Sequence, residues 1–495
     1  MLQNIKTLII LLAIFFVAFF ILKRLVKDIL SAEIFSTLQR AWYQITVAAF
    51  LSVNFWMFAF IATVCVHHIK KHIKNTPALF IFLLFAIPTA GVPIYGFAGI
   101  NYFLVFDFSK LLSLMLLFPV AFSIYTKRNE KNKQPLLLVE KLFYLLIVLK
   151  VILTFRIATT TVGIRSIFII FTDVFLPFYV FSKLQSSRQR LKEVLLAFLM
   201  AMTLLSFVGI VETVKHWSFY HALTESLGFV NANEFSISRD GMLRSVATSQ
   251  QPIVLGFMIA VAFGLFFAVK NMYFNNNLIR KFTLLVLLFG LIAPFSRGPW
   301  MGAISMLIVL GLLGKTPVVT MIRIMIGTTV LLGLMSVSES GKKILNMLPL
   351  IGNTESETFD YRSRLFESAF NVANRTPLFG SDNYLEQPEM EVMRQGQGIV
   401  DITNTYLQVL LDSGYVGLFL FSALILGTMA MLYKAIKLTN DNELSSIGKG
   451  LLSALVGVAL MIADVSSISF VPWMYWILLA ISASYIKLVK LESNA

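Results

Sequence analysis

The sequence predicts an all-α polytopic membrane protein, and three observations support this fold class. The 495 residues are 57% hydrophobic and only 14% charged, whereas soluble proteins carry about 25% charged residues. Apolar stretches of about 20 residues recur along the chain, and each is long enough for one helix to cross a bilayer. Whole stretches are apolar on every side, which argues against the amphipathic stripes of a large soluble bundle.

Hydropathy predicts about fourteen membrane-spanning helices, with a range of about twelve to fourteen. Residues 7–22 could be read as a signal peptide, but no small-residue cleavage site follows them, and basic residues come next. We therefore interpret this stretch as an uncleaved first span. The predicted spans are 6–22, 43–66, 77–97, 109–125, 138–155, 164–182, 194–211, 252–269, 281–295, 299–314, 317–337, 403–434, 448–465 and 470–488.

The basic residues predict which connectors face the cytoplasm. The net charge is +15, and Lys and Arg cluster in short connectors, as the positive-inside rule describes. Nucleic acid is not indicated as a partner, because zinc spacings, RNA-binding signatures and basic heptads are missing from the sequence. The cytoplasmic connectors are predicted at 67–74, 126–133, 183–192, 279–281 and 433–437, and at the C-terminal KLVK.

This orientation places both termini in the cytoplasm and leaves one conflict. Lys23, Arg24 and Lys27 would fall on the outer side. Either the first span is tilted or interfacial, or the helices near the N-terminus are miscounted.

The same orientation predicts two long outer connectors, 212–251 and 338–402. The chain then divides into an N-terminal transmembrane region (1–337, about eleven spans), a large periplasmic loop (338–402) and a C-terminal transmembrane region (403–495, about three spans). Loop 338–402 carries ten acidic and six basic residues, a net charge of −4, opposite in sign to the cytoplasmic connectors.

An amphipathic helix is predicted inside this loop, over residues 362–375. Leu365, Ala369 and Val372 share one of its sides, and Pro377 and Gly380 end it. We expect this helix to lie on the membrane face and to cap a cavity.

Four arginines are predicted at the outer edges of spans or at the start of the loop helix. Guanidinium groups stay charged and grip phosphate bidentately. Pro299 suggests that Arg297 and Gly298 lie near a helix N-terminus, where free N–H groups also favour anions. The arginines and the helix N-terminus together predict a site for an anionic lipid headgroup, most naturally a diphosphate. Any single arginine could instead anchor a span. The four are Arg244, Arg297, Arg362 and Arg364.

Four stretches together resemble the O-antigen ligase and Wzy-type polymerase superfamily, over about residues 240–435. LRSVATSQQPIVLG and FSRGPWMGA resemble two arginine motifs of the family. YRSRLFESAFNVANRTPLFGSDNYL resembles its loop segment, which ends in Pro-Leu-x-Gly. TNTYLQVLLDSGYVGLF resembles its last motif, histidine-asparagine followed by Tyr-Leu and two glycines.

The resemblance implies a GT-C-like glycosyltransferase of the bacterial inner membrane whose active site faces the periplasm. Its donor would be an undecaprenyl-diphosphate-linked oligosaccharide, its surroundings membrane lipid, and its further partner a possible chain-length regulator; no cofactor or metal is implied. Arg244, Arg297 and Arg364 would hold the diphosphate, and Arg362 and Asn404 would assist catalysis.

One departure from the family concerns the general base. Ligases of the family carry a histidine before the asparagine of the last motif, where this chain has Thr403 before Asn404. Threonine cannot act as a base near neutral pH. Asp401 is the first candidate replacement, with Asp360 and Asp382 behind it.

The function predicted from these features is polymerisation of lipid-linked repeat units. An O-antigen ligase is the alternative within the family, and a transporter or flippase of lipid-linked glycans is the alternative from another class. An inactive relative that organises an export complex is a third. Transporters usually show repeated halves and charges midway through spans, and neither is evident here.

Other polar residues carry weaker predictions. Asp464 could pair with an arginine of the cavity or help bind sugar. Asp173 is either functional or paired with Arg156 or Arg165. Glu212 is expected to cap its span toward solvent, and the histidines His216 and His221 are expected at the surface or membrane interface.

Overall fold

A computed structural model describes residues 2–26, 29–96, 102–127, 135–156, 159–184, 187–229, 238–239, 241–273, 277–337, 356–394 and 398–493. Within these ranges, eight helices are long and apolar enough to cross a membrane, which fits an all-α multi-pass protein. The count of about fourteen spans stays a prediction. The elements are α1 (Leu2–Val26), α2 (Ala32–Leu51), α3 (Phe55–Lys70), α4 (Thr76–Leu84), β1 (Gly91–Tyr95), β2 (Tyr102–Asp107), α5 (Phe108–Thr126), α6 (Leu138–Thr154), α7 (Thr160–Phe181), α8 (Arg188–Lys215), α9 (His221–Ser226), β3 (Ser238–Arg239), β4 (Met242–Leu243), α10 (Pro252–Tyr273), α11 (Asn277–Ile292), α12 (Arg297–Leu312), α13 (Pro317–Val337), α14 (Ser356–Ala373), α15 (Pro388–Glu391), α16 (Thr405–Leu438), α17 (Asn442–Met461) and α18 (Val471–Ser493).

The predicted span 43–66 is wrong, because two helices occupy this part of the chain. α2 ends at Leu51, and α3 begins at Phe55. The Asn54 side chain accepts a hydrogen bond from the Met57 N–H at 2.9 Å and so caps the start of α3. The apolar run hides this turn, since a three-residue break barely changes mean hydropathy.

The additional helix resolves the conflict over Lys23 and Arg24, which lie in the last turn of α1; Lys27 lies outside the described residues. A cavity of about 300 Å³ brings Leu30, Ser31 and Glu33 together with His72 and Lys74. The connector after α1 therefore lies on the same face as the basic connector after α3, as the positive-inside rule requires.

The two ends of the described chain lie on opposite faces, so the prediction of a common side is wrong. The Lys6 ammonium at the start of α1 lies 5.1 Å from the ring centre of Trp217, in the connector after α8. Near the other end, Glu492 of α18 pairs with Arg188 at the start of α8. Arg188 also bonds to Asp441 at 2.9 Å, which fixes the connector between α16 and α17 to this basic face.

The predicted span 77–97 is helical only in its first part. After α4 the chain forms β1, which pairs antiparallel with β2 with Gly91 opposite Asp107. Arg165 of α7 donates to the carbonyls of Tyr102 (2.7 Å) and Phe103 (2.8 Å) and so ties this hairpin to the bundle. Pro88 and Gly91 interrupt the apolar run, and both disfavour a continuing helix.

Three helices form the centre of the bundle. In the most apolar part of each, 83% of residues are buried in α8, 83% in α10 and 89% in α18, against 33% in α7. The candidate site lies at one end of these central helices, in the connectors that join them to their neighbours.

The predicted loop helix is present as α14, which starts before 362 and ends at Ala373. Leu365, Ala369 and Val372 are at most 2% exposed, which confirms the predicted apolar side. Residues 338–355 and 395–397 of the predicted loop lie outside the described residues. The buried side of α14 packs against Met390, Met393, Ile402, Leu407, Leu410 and Leu411, the last three at the start of α16.

Two glycines allow the segment after α14 to dock into α16. Gly414 interrupts α16 with φ +66° and ψ −169°, and Gly380 has φ +68°. The freed N–H of Tyr415 donates to the Pro377 carbonyl at 2.7 Å, and that of Val416 to the Leu378 carbonyl at 3.2 Å. A side chain on Gly380 would lie 2.7 Å from the Gly414 nitrogen, so the two backbones meet only because both residues lack one.

Asp173 has a different partner from those predicted. Its carboxylate lies 3.4 Å from the Lys110 ammonium, which also pairs with Asp107. Arg156 and Arg165 bind backbone carbonyls instead, those of Phe379 and Asp412 and those of Tyr102 and Phe103.

Candidate functional site

The turn before α12 is built by Arg244. Its Nε donates to the Pro294 carbonyl at 3.0 Å, and its Nη2 donates to the Ser296 hydroxyl at 2.9 Å. Phe295 in this turn has φ +46°. The predicted neighbourhood of Arg244 and the FSRGPW motif is therefore present, with Arg297 as the first residue of α12.

Glu212 organises the segment that carries Arg244, and it does not cap toward solvent as predicted. Its carboxylate is fully buried and accepts the N–H groups of Phe219 (3.0 Å), Val246 (3.0 Å) and Ala247 (2.8 Å). A buried carboxylate is tolerated only when such donors satisfy it. Glu212 thereby holds both halves of the connector between α8 and α10.

An ion pair joins the loop helix to the membrane bundle at the same place. The Arg362 guanidinium of α14 bonds to the Asp464 carboxylate in the connector between α17 and α18. The other oxygen of Asp464 lies where a side chain on Gly298 would be, beside the first turn of α12. The predicted pairing of Asp464 with an arginine is thus present in the structure, next to Arg297.

The pKa of Asp464 reflects two opposed effects. Burial raises the pKa of this carboxyl above its ordinary value, and the nearby Arg362 guanidinium lowers it. The side chains of Arg362 and Asp464 are 41% and 29% exposed, so water screens the pair only in part.

We expect the substitution Arg362→Gln to cost more stability at high pH than at low pH. Without the guanidinium, the raised pKa of Asp464 rises further, and the carboxyl takes up a proton on folding. The stability that the protonated Asp464 carboxyl contributes is present at low pH, and it is lost as the pH rises through the folded-state pKa of this group. The free energy of unfolding should fall by about 1 kcal/mol at pH 8 and by less at pH 5.

Thermal unfolding of the purified protein in detergent at both pH values measures this difference. Arg394→Gln is the matched control, because Arg394 pairs with Glu391 on the exposed surface. An equal loss for Arg362→Gln at both pH values would show that Arg362 does not control the ionisation of Asp464.

The connector 462–470, here called the serine loop, contacts residues at the start of α16 and just before it. The Thr405 N–H donates to the carbonyls of Ile462 (2.8 Å) and Val465 (3.1 Å), which fixes the loop to the start of α16. The Ser466 hydroxyl donates to Asp401 Oδ1 at 2.8 Å. The Ser467 N–H donates to Gln408 Oε1 at 3.2 Å. The polar run DVSSIS between two apolar spans was the sequence signal for this loop.

The structure places the two other predicted catalytic residues beside the serine loop, in different roles. Asn404 caps α16, and its Oδ1 accepts the N–H groups of Tyr406 (2.9 Å) and Leu407 (3.1 Å). Asp401 keeps a half-buried carboxylate, and the Tyr361 hydroxyl donates to its carbonyl at 2.9 Å. The geometry thus gives Asn404 a structural role and leaves Asp401 beside the ion pair.

Several predicted site residues make none of the contacts described above. Arg364 is exposed, and its Nε bonds within α14 to the Asp360 carbonyl at 3.4 Å. Asp360 and Asp382 are exposed as well. The His221 ring lies 3.4 Å from the Glu225 carboxylate, one turn along α9. Across the described ranges, no group of three or more His, Cys, Asp and Glu residues could hold a metal ion.

The fold and site define a multi-pass membrane protein with a charged cluster where one face of the bundle meets the loop helix. A family model described as Wzy_C, O-antigen ligase, matches residues 282–422. The predicted resemblance to the O-antigen ligase and Wzy-type polymerase superfamily is confirmed over this region, and members of that superfamily are glycosyltransferase-like enzymes. No curated protein matches the chain.

Proposed function

We propose that this chain is a polymerase that joins undecaprenyl-diphosphate-linked oligosaccharide repeat units at the periplasmic face of a bacterial inner membrane. The observation that carries the proposal is the convergence of Arg244, Arg297 and Arg362 on the first turn of α12. Arginine forks and free N–H groups at a helix N-terminus both favour phosphate oxygens. The family match over 282–422 supports a lipid-linked glycan as the donor.

In the proposed reaction, an acceptor sugar hydroxyl attacks the anomeric carbon of the donor glycan. The bond between this carbon and the diphosphate oxygen breaks, and undecaprenyl diphosphate leaves with the bonding electrons. Arg244, Arg297 and Arg362 would stabilise the negative charge that grows on this leaving group. Asp401 would accept the hydroxyl proton, since Thr403 cannot.

The Arg362–Asp464 pair supports a role for the loop helix in binding. Asp464 presents a carboxylate to the same guanidinium that the diphosphate would need. We propose that the diphosphate displaces Asp464 from Arg362 when the donor binds. The loop helix would then close over the donor while its buried side stays packed on α16.

A ligase remains the second candidate, because the matching family model carries that description. It would use the same donor and the same arginines, and it would differ only in the acceptor. We keep the polymerase first because Thr403 stands where the family's ligases carry histidine. The chain-length regulator that the resemblance implies would accompany a polymerase only.

Reconstitution in liposomes with the host's lipid-linked repeat unit distinguishes these functions. We expect a ladder of longer lipid-linked glycans on a gel when the repeat unit is the only substrate. Transfer that requires an added lipid A core would identify a ligase instead. No product with either acceptor would contradict both enzymatic proposals and favour transport.

A further inference from the structure

An uncharged polar surface lies beside Arg244, Arg297 and Arg362, here called the arginine cluster. The proposed reaction does not use this surface. The Ser469 hydroxyl lies 2.9 Å from the Thr89 hydroxyl and donates to the Ser249 carbonyl at 3.0 Å. The Ser467 hydroxyl donates to the Thr405 hydroxyl at 3.2 Å. Thr89, Ser467 and Ser469 are each partly exposed.

The backbone around this surface is held in an unusual conformation. Among the described residues other than glycine, five have positive φ, and three of them lie in the connectors that build this surface. Such conformations persist where the surrounding structure fixes them, often at binding sites. The three are Ala247 (+44°), Gln250 (+63°) and Ser469 (+49°).

The surface is built from three connectors that are distant in sequence. Thr89 follows α4, Ser249 precedes α10, and Ser469 lies near the end of the serine loop. Asp464 stands five residues before Ser469 and pairs with Arg362, so the hydroxyls and the arginine cluster share one loop. Hydroxyl and amide side chains both donate and accept hydrogen bonds, as sugar hydroxyls do, so they can recognise a neutral sugar.

We propose that Thr89, Gln408, Ser467 and Ser469 form the saccharide subsite that selects which glycan is joined. This inference rests on the proposed function, since it places the sugar of the donor or acceptor beside its diphosphate. The four residues contribute hydroxyl or amide groups. These groups can bond to neutral sugar rings, and because they are uncharged they repel no sugar electrostatically.

The test measures binding of two probes to the purified full-length protein in nanodiscs. One probe is undecaprenyl diphosphate, and the other is the lipid-linked repeat unit extracted from the host. We expect the double variant Thr89→Val and Ser467→Ala to bind the repeat unit about tenfold more weakly, because two hydrogen bonds to sugar are lost. Its affinity for undecaprenyl diphosphate should be unchanged.

The matched control is the double variant Thr63→Val and Ser166→Ala, which removes two hydroxyls that bond only within their own helices. It should bind both probes like the wild type. Equal weakening of both probes by Thr89→Val and Ser467→Ala, or no weakening of the repeat unit, would overturn the saccharide subsite. Failure of the wild-type protein to bind undecaprenyl diphosphate would instead contradict the proposed function.

Gln408→Met provides a second variant should the double variant unfold. It removes the amide from the subsite and leaves every hydroxyl in place. We expect a fivefold or so loss of affinity for the repeat unit alone. An unchanged affinity for the repeat unit in this folded variant would also count against the subsite.

Discussion

The substitution Arg297→Ala should reduce the rate of glycan transfer by about 100-fold or more at saturating donor. Arg297 opens α12 beside Gly298 and the Arg362–Asp464 pair. A charge that stabilises the leaving diphosphate acts mainly in the transition state, and loss of one such group typically costs 100-fold to 1,000-fold in rate. Initial rates of chain extension in liposomes measure the effect.

Two other arginines serve as controls for this experiment. Arg394→Ala removes an exposed arginine that pairs with Glu391, and its rate should match the wild type. Arg364→Ala should keep the rate within about threefold, because this side chain is exposed and bonds only weakly within α14. A wild-type rate in Arg297→Ala would remove Arg297 from the proposed diphosphate site.

The substitution Gly414→Ala should undock the segment after α14 and abolish most activity. Gly414 has φ +66°, and a side chain there would overlap the backbone of Leu378 and Phe379. Strain and overlap together should lower the free energy of unfolding by about 3 kcal/mol or more. Thermal unfolding and limited proteolysis at residues 376–383 measure the two consequences.

Gly427→Ala is the matched control, since Gly427 lies in the same helix. Its nearest neighbour would be a methyl group of Leu142 at 3.7 Å, an ordinary contact. Alanine there should leave stability unchanged or raise it by about 0.5–1 kcal/mol, because glycine disfavours helix. Equal melting temperatures for Gly414→Ala and the wild type would show that docking does not depend on this glycine.

Hydropathy predicted the C-terminal half of the fold closely. The spans 281–295, 299–314, 317–337 and 470–488 agree with α11, α12, α13 and α18 to within a few residues. Each of these is one uninterrupted helix, and α18 is also among the eight that are long and apolar enough to cross a membrane; as spans, the other three stay predictions. The amphipathic side of α14 was also predictable, because Leu365, Ala369 and Val372 follow helical spacing.

The N-terminal errors have a common physical cause. Helix α2 contains Glu33 and Arg40, which lower its hydropathy, while the turn before Asn54 is bounded by apolar residues on both sides. A window that averages hydropathy therefore merges two helices into one span. The positive charge of Lys23 and Arg24 at the end of α1 had already disagreed with the count that merged these helices.

The structure brings three of the predicted arginines near one helix terminus, and their role in binding stays a prediction. Sequence motifs placed Arg244, Arg297 and Arg362 at a common face, and the structure links each of them to the start of α12 through Ser296, through the chain itself or through Asp464. The buried role of Glu212 could not be predicted, because its three donors come from residues seven and about 35 positions away.

The proposed enzyme breaks the bond between a glycan and its lipid diphosphate, which a transporter would leave intact. The most direct measurement is the amount of free undecaprenyl diphosphate released when the purified protein, in liposomes with EDTA, acts on the host's lipid-linked repeat unit. We predict one undecaprenyl diphosphate released for each repeat unit added to the growing glycan. Movement of intact repeat units across the bilayer without any such release would contradict the account and identify a transporter.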